Sequence, residues 1–403
     1  MIMKKRFLIL LLLCVIGVTG CGPAKTPSVP EPTEEELAAI RRQEQLSPLL
    51  EEAYNLALGY YYDEALECLS LVPEEFAEDE EVRSAISEYT AAKDSFVLFE
   101  EPVRHIFFHS LIVDTALAFD GDHMSNGYNY WMTTVDEFKR MLDELHKNDF
   151  VLIDIHDIEA PYVPEGKKPL VLSVDDVNYY EYMEKDGFAR KLLLDENGEV
   201  KNLYIDVQGN ELIGDYDVAP ILDSFVKEHP DFSLRGAKGV LALTGYEGTL
   251  GYRTNDSESP TFEQDKIDAK AVADRLKETG WHFAVHGWGH RDAKKMTVAH
   301  LKQDTNRWME EVGSLVGDTD IYIYPYGSEI DYETEKEKLS YFEEEGFRYF
   351  CGVWTKPFVS VQDTYVRQTR CNLDGFNMIT RPGSLADLFD VEKVLDKTRP
   401  ELE

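Results

Sequence analysis

The spacing of apolar residues divides the chain into a helical part and a part of alternating strands and helices. Between residues 34 and 93, apolar positions recur every three to four residues, as on one face of an amphipathic helix. Beyond Val103, short apolar runs such as residues 150–155 and 239–243 alternate with amphipathic segments such as residues 297–312. This alternation predicts an α/β domain with the architecture of a barrel or a layered sheet.

The helical part resembles a single tetratricopeptide-type hairpin over residues 36–98. A proline-and-acid break at residues 72–75 separates its helical runs. A lone helical hairpin cannot bury a core of its own, so we expect it to pack on the neighbouring domain as a support or spacer. Binding of a protein partner through this segment is the alternative.

The chain begins with the pattern of a bacterial lipoprotein signal. A basic start at residues 4–6 is followed by an apolar run at residues 7–18, too short for a comfortable membrane span, and then by Cys21. Removal of a signal peptide, residues 1–20, and acylation of Cys21 would anchor the chain by lipid, and a proline-rich tether, residues 21–35, would follow. We therefore expect an extracytoplasmic, membrane-anchored lipoprotein of a bacterial cell. An uncleaved anchor is the alternative, and it would export the domain equally.

Net charge limits the classes of binding partner, and the cysteines allow one disulfide. The formal net charge of −36 argues against binding to nucleic acid or to anionic lipid headgroups. Three cysteines lie outside the signal region, namely Cys68, Cys351 and Cys371. A disulfide between Cys351 and Cys371 is conceivable in an oxidising compartment, and the sequence leaves it open.

Two adjacent carboxylates follow an apolar run that has the length of a buried strand. The run ends at Val174, and Asp175 and Asp176 come directly after it. Acidic groups at the carboxyl end of an inner strand lie at the mouth of a β/α barrel, where such folds carry their chemistry. Neighbouring residues point in opposite directions along a strand, so one carboxylate can bind a metal while the other serves as a base.

Three pairs of histidines are spaced four residues apart: His105/His109, His282/His286 and His286/His290. The pair His286/His290 follows an apolar run and is interleaved with glycines, which suits a metal-binding turn. His282 lies deeper in the same strand and is interpreted as a satisfied interior group. His109, near the top of the first strand, is either a pocket residue or a hydrogen-bonded structural histidine.

The order of these motifs resembles the polysaccharide deacetylase family, of the NodB-homology or carbohydrate esterase type. Its T-F-D-D motif corresponds to residues 173–176, its H-[ST]-x-x-H motif to residues 286–290, and its R-x-P-[YF]-G motif to residues 323–327. The resemblance implies a distorted (β/α) barrel of the NodB type over residues 100–395, preceded by the small all-α hairpin.

The resemblance also implies roles for individual residues. Asp176, His286 and His290 would hold one divalent metal ion, zinc first and cobalt or nickel as alternatives. Asp175 would act as the base and the backbone N–H of Tyr326 would bind the oxyanion. The residues that would line the substrate pocket are Trp354, Pro325 and Trp288.

The chain departs from the family pattern in the groups that deliver protons. Ile323 occupies the position of the arginine that orients the base, and no histidine follows His300 to serve as the late general acid. Either Asp175 works as both base and acid, or a relocated residue such as His109 or Arg381 substitutes, or the domain binds sugars without hydrolysing them.

Two functions follow from these observations. The first is a metal-dependent hydrolase that removes N-acetyl groups from an acetylated cell-wall or extracellular polysaccharide of the N-acetylglucosamine type. The second is a catalytically reduced, carbohydrate-binding envelope lipoprotein. O-deacetylation stays open within the first function, because an ester needs less help at its leaving group.

Overall fold

The computed structural model describes residues 32–402. The predicted signal peptide, Cys21 and most of the tether lie outside these residues, so their roles stay predictions. Within residues 32–402, no helix combines the length and the apolar character needed to cross a bilayer.

The amino-terminal region consists of helices packed on one another. They are α1 Glu34–Arg41, α2 Ser47–Leu58, α3 Tyr62–Ser70 and α4 Glu80–Asp94. Ala53 of α2 and Ala65 of α3 are buried in a small apolar core of their own. The turn between these two helices contacts the rest of the chain, since the Tyr60 hydroxyl donates to the carbonyl of Asp231 at 2.8 Å. The helical region therefore rests on the α/β domain at this turn.

The described residues form fourteen strands. In chain order they are β1 Phe96–Leu98, β2 Arg104–Phe108, β3 Phe150–Leu152, β4 Tyr162–Pro164, β5 Lys168–Val174, β6 Lys191–Leu194, β7 Val200–Ile205, β8 Glu211–Gly214, β9 Gly239–Leu243, β10 Trp281–Val285, β11 Ile321–Ile323, β12 Tyr349–Val353, β13 Val359–Val361 and β14 Val366–Asn372.

Seven of the strands close into a parallel barrel in the order β2, β5, β9, β10, β11, β12, β14. Strand β14 pairs with both β12 and β2, and this double pairing completes the ring. Strand β3 adds to the amino end of β5, and β13 adds to β14 in antiparallel orientation. The predicted fold class, an α/β barrel preceded by helices, is confirmed.

Barrel strands β5 and β9 are apolar along most of their length because both of their faces are covered. All five residues of β9 are buried, as are six of the seven residues of β5. Parallel strands enclosed by helices read as continuous apolar runs rather than as alternating ones. The same continuity made these strands recognisable in the sequence.

Helices cover the barrel and fill the connections between its strands. They are α5 Thr115–Ala118, α6 Ser125–Trp131, α7 Val135–Lys147, α8 Val218–Glu228, α9 Phe262–Glu278, α10 Val298–Trp308, α11 Ser314–Val316, α12 Lys336–Glu344, α13 Gly375–Thr380 and α14 Val391–Val394. Helix α7 begins with a capping box between Thr134 and Glu137, and it buries Phe138 and Met141 against the barrel.

The segment between β5 and β9 carries a small antiparallel sheet in the order β6, β7, β8. The Glu-Asn-Gly turn signal between two apolar runs predicts a hairpin over residues 191–200. The hairpin forms, and its turn is closed by the N–H of Gly198 donating to the carbonyl of Asp195. The start of this segment stays at the carboxyl end of the barrel and contributes tyrosines to the site described below.

Three details differ from the sequence-based expectations. The sequence predicts a first strand over residues 104–113, but strand β2 ends at Phe108, because the N–H of Leu111 leaves the ladder and donates to Asp217. Cys351 and Cys371 are free thiols, since the pairing of β12 with β14 sets Cys351 opposite Gln368. The predicted interior histidine His282 is satisfied by a hydrogen bond, but about a third of its side chain is exposed.

Candidate active site and metal centre

The candidate site lies at the carboxyl ends of β5 and β10. The N–H of Asp175 donates to the carbonyl of Phe108 at 2.8 Å, and the N–H of His286 donates to the carbonyl of Leu243 at 3.0 Å. Each barrel strand is thus held by its neighbour up to the residue that carries the functional side chain. The strand register therefore fixes where these side chains emerge.

The three predicted metal ligands converge. Ligand atoms of Asp176, His286 and His290 all lie within 4.8 Å of one another, and Nε2 of His290 is 3.9 Å from Oδ1 of Asp176. Asp304 shapes the turn between the two histidines, because its carboxylate accepts the N–H groups of Trp288 and Gly289 at 2.7 and 3.0 Å. Two imidazoles and one carboxylate form a donor set suited to zinc, cobalt or nickel.

Surrounding groups orient these ligands. Nδ1 of His286 donates to the carbonyl of Ile323 at 2.8 Å, which leaves Nε2 free to bind a cation. Burial lowers the pKa of His286, so the imidazole is held in the neutral form that a metal requires. The Tyr180 hydroxyl donates to Oδ1 of Asp176 at 2.7 Å. The residues present therefore fit a divalent ion.

Three residues of the site have left-handed backbone conformations that are uncommon for residues other than glycine. Asp176 has φ 59°, His290 has φ 48° and Tyr326 has φ 60°. Such conformations cost roughly 1 kcal/mol or more each and persist only where the surrounding structure imposes them. Two of the three residues, Asp176 and His290, are candidate metal ligands, so the strained backbone positions coincide with the candidate site.

The candidate base, Asp175, is buried and paired with Arg370. Nη1 of the arginine donates to Oδ1 at 2.6 Å and Nη2 donates to Oδ2 at 2.9 Å. Burial alone would raise the pKa of Asp175, but the Arg370 guanidinium and His286 outweigh burial and hold the pKa well below its usual range. Asp175 is therefore a carboxylate in a fixed orientation, 3.8 Å from Nε2 of His286.

A buried polar network inside the barrel contacts the pair of Asp175 and Arg370. Nη1 of Arg370 also donates to Oγ of Ser173 at 3.1 Å, and Ser173 is 2.9 Å from Nε2 of His105. The other ring nitrogen of His105 is 2.8 Å from the side chain of Gln368. Burial lowers the pKa of His105 to about 3, so this histidine is neutral and structural.

Arg370 is a candidate site residue that the sequence did not reveal. Ile323 stands at the position of the family's arginine, and Arg381 is the substitute that the sequence suggests. Arg381 is exposed and stacks on the ring of Phe376 instead. Arg370 reaches Asp175 from β14, a strand next to neither β5 nor β11, so no local motif reveals the pairing.

His109 lies at the carboxyl end of β2, beside the end of β5. It is close enough to Asp175 to contribute to the lowering of that residue's pKa. Its Nδ1 is buried and has no hydrogen-bond partner among the described residues. This placement beside Asp175 suits the predicted substitute acid, whose role stays a prediction.

The predicted substrate-lining residues differ in their exposure. Tyr326 and Trp354 are 72% and 63% exposed, and the ring of Tyr326 lies edge-on to that of His290, with centroids 4.5 Å apart. Pro325 is buried at the end of β11. Both exposed rings stand at the carboxyl end of the barrel, where a sugar could stack on them.

Trp288 is already engaged within the protein. Its indole N–H donates to Glu311 at 2.7 Å, and the guanidinium of Arg307 lies 3.4 Å from the centre of its ring. One face of the indole is therefore covered and its only donor is used. These contacts assign Trp288 to the support of the His290 loop, and a contact with substrate stays a prediction.

Comparison with known proteins supports the resemblance seen in the motifs. Residues 252–349 match the family model described as polysaccharide deacetylase, which confirms the resemblance over the stretch that contains His286, His290 and Tyr326. A comparison with curated protein sequences gives no match.

Two solved structures are similar to the chain. One is the Streptococcus pyogenes deacetylase PplD in complex with acetate, at 12% identity and a TM-score of 0.43, covering 72% of this chain and 99% of that chain. The other is BA0330 from Bacillus anthracis, a candidate polysaccharide deacetylase, at 12% identity and a TM-score of 0.43, covering 74% of this chain and 69% of that chain.

Proposed function

We propose that this chain is a metal-dependent hydrolase that removes N-acetyl groups from a cell-wall or extracellular polysaccharide of the N-acetylglucosamine type. The observation that carries the proposal is the convergence of Asp176, His286 and His290 beside the buried pair of Asp175 and Arg370. Three metal ligands next to an oriented carboxylate are an arrangement that metal-assisted hydrolysis of an acyl bond uses.

The triad is suited to a zinc ion, with cobalt or nickel as alternatives. A divalent ion held by Asp176, His286 and His290 would polarise the acyl carbonyl and lower the pKa of a bound water. Three protein ligands leave coordination positions open for water and substrate, as catalytic sites do and structural sites do not.

Asp175 accepts the proton of the attacking water in the proposed reaction. The low pKa of Asp175 keeps the carboxylate ionised. Two hydrogen bonds from the Arg370 guanidinium, one to each oxygen, prevent the carboxylate from rotating. The oxygen of the water bonds to the acetyl carbon, and the negative charge that develops on the carbonyl oxygen faces the N–H of Tyr326.

The departing amine needs a proton as the carbon–nitrogen bond breaks. His109 is the candidate donor, because it flanks Asp175 at the end of β2 and its Nδ1 has no partner among residues 32–402. The products are acetate and the free amino sugar. Trp354 and Tyr326 would stack on the sugar rings, which suits their exposure.

The predicted lipid anchor at Cys21 supports an envelope substrate. An exported chain tethered at the outer face of a membrane meets cell-wall and extracellular polysaccharides rather than cytoplasmic metabolites. The net charge of −36 is consistent with a neutral or partly cationic glycan as substrate.

Acetate release tests the proposal. The full chain, loaded with zinc, is incubated with N-acetylglucosamine oligomers, and the His286→Ala and Asp175→Asn variants are expected to lose activity. His300→Ala is the matched control, since His300 is exposed on α10. Acetate release that survives Asp175→Asn would contradict the assigned mechanism.

The second candidate is a carbohydrate-binding lipoprotein without turnover. It is favoured by Ile323 in place of the family's arginine and by the lack of a histidine after His300. Glycan binding by a zinc-loaded chain that releases acetate from neither amide nor ester substrates would favour this candidate.

A further inference from the structure

A second group of potential metal ligands lies at the opposite end of the barrel from the candidate active site. His282 is the second residue of β10, Asp154 follows β3, and His156 lies two residues further on. Ligand atoms of these three residues all lie within 4.8 Å of one another. We propose that Asp154, His156 and His282 form a second site for a divalent ion of the zinc class.

Both oxygens of the carboxylate face an imidazole nitrogen. Oδ1 of Asp154 is 2.7 Å from Nδ1 of His156, and Oδ2 is 2.6 Å from Nε2 of His282. Two imidazoles and one carboxylate, with ligand atoms within 4.8 Å of one another, are the same kinds of donor as in the candidate active site. An ion that binds here displaces protons from these contacts, as metal binding to imidazole does.

The ring of His156 is held in one orientation. Its other nitrogen, Nε2, is 3.0 Å from Oδ1 of Asp320, so a carboxylate backs the imidazole as in carboxylate–histidine–zinc arrangements. The ring also meets those of His282 and Tyr349 edge-on, with both centroid distances at 4.9 Å. This orientation keeps Nδ1 directed at Asp154.

A backbone hydrogen bond also holds Asp154 and His156 in position. Oδ1 of Asp154 accepts the N–H of His156 at 2.9 Å, which fixes the turn that carries two of the three ligands. The side chains of Asp154, His156 and His282 are 34–38% exposed, so an ion and a completing water can reach them. A bound ion would tie the loop after β3 to β10.

A third group in the described part of the chain, His146, His229 and Asp231, is less suited to a cation. Nε2 of His146 lies 2.9 Å from Oδ2 of Asp231, and the ammonium of Lys167 lies 4.0 Å from the same oxygen. The rings of His146 and His229 also contact each other in a tilted arrangement, with centroids 4.7 Å apart. A positive charge beside the carboxylate disfavours a metal at this place.

The new site is independent of the proposed hydrolase. His282 and His286 are four residues apart on one strand, a separation of about 13 Å along the barrel. Its test therefore uses chains from which the ligands of the candidate active site have been removed, so its outcome does not depend on catalysis.

The experiment measures zinc bound per chain in the full-length protein after equilibration with zinc and removal of excess. The double variant His286→Ala/His290→Ala is expected to retain one zinc, and addition of His282→Gln is expected to remove it. Addition of His146→Gln is the matched control and should leave that zinc in place.

A second readout covers the case in which the triple variant folds poorly. Zinc added to the double variant is expected to raise the melting temperature by a few degrees, and Asp154→Asn in that background should abolish the rise. A folded double variant that binds no zinc overturns the proposal, and so does zinc that survives both His282→Gln and Asp154→Asn.

Discussion

Nη1 and Nη2 of Arg370 donate to the two carboxylate oxygens of Asp175 at 2.6 and 2.9 Å, although the two residues lie far apart in the sequence. The arginine side chain is completely buried and its guanidinium lies 4.2 Å from the ring centre of Phe107. A buried ion pair contributes little net stability, whereas loss of one partner is costly. Its place beside the candidate metal ligands therefore points to a role in orienting Asp175.

Replacement of Arg370 by methionine should therefore lower activity more than it changes substrate binding. We expect kcat to fall roughly 100-fold, because the carboxylate loses its fixed position, while KM changes little. The acidic limb of the pH–rate profile should move to higher pH, since loss of the guanidinium raises the pKa of Asp175.

Arg370→Lys should retain more of kcat than Arg370→Met, because a lysine supplies the positive charge without the two parallel hydrogen bonds of a guanidinium. Arg381→Met is the control and should leave both kcat and the pH profile unchanged, since Arg381 is exposed and stacks on Phe376. A fall in kcat without movement of the acidic limb would make Arg370 merely structural.

His109→Gln distinguishes a proton donor from a structural histidine. An amine leaves poorly without a proton, whereas an alcohol leaves more readily, so the variant should lose roughly 100-fold on an N-acetyl substrate and much less on an O-acetyl ester. The measurement is the ratio of the two kcat/KM values. His123→Gln, exposed in the loop before α6, is the control. Equal losses on both substrates would exclude His109 as the acid.

Tyr326→Gly tests whether the backbone rather than the ring of Tyr326 serves the reaction. Glycine adopts φ 60° without strain and keeps the N–H, so we expect kcat to stay within about 10-fold and the free energy of unfolding to rise by roughly 1 kcal/mol. Steady-state kinetics measure kcat, and chemical denaturation measures the free energy of unfolding. A kcat loss of the size seen for Asp175→Asn would assign the role to the ring instead.

The sequence predicted those parts of the site that follow recognisable strands. Asp175 and Asp176 come directly after β5, and His286 comes directly after β10, so the apolar runs point to them. The barrel itself was predictable because buried parallel strands read as continuous apolar stretches.

Arg370 could not be predicted in this way. It is 195 residues from Asp175, and the contact depends on closure of the barrel through β14. The buried face of β14 carries Val366, Gln368 and Arg370, so its pattern is that of a half-exposed strand rather than of a barrel wall. The contact of Tyr180 with Asp176 could not be predicted from the sequence either, because it follows a left-handed turn at Asp176 that no sequence motif indicates.

The stability of the fold should depend on the protonation of Asp217, which is buried at the start of α8. Burial raises its pKa to about 6, and its Oδ1 accepts the N–H groups of Leu111 and Val218 at 3.0 and 2.8 Å. Because the folded state favours the protonated form, the contribution of Asp217 to stability is present below its ordinary pKa of 3.8 and is lost as the pH rises through about 6.

Asp217→Asn removes this titration while it keeps the acceptor for both N–H groups. The variant should gain about 3 kcal/mol of unfolding free energy relative to the parent between pH 4 and pH 7, because a shift of about two units corresponds to that amount. Urea denaturation of both chains at one-unit pH steps measures the difference. Asp223→Asn at the same helix is the control, since Asp223 is partly exposed and paired with Lys238. A difference between parent and Asp217→Asn that does not change with pH would mean that Asp217 stays ionised in the folded protein.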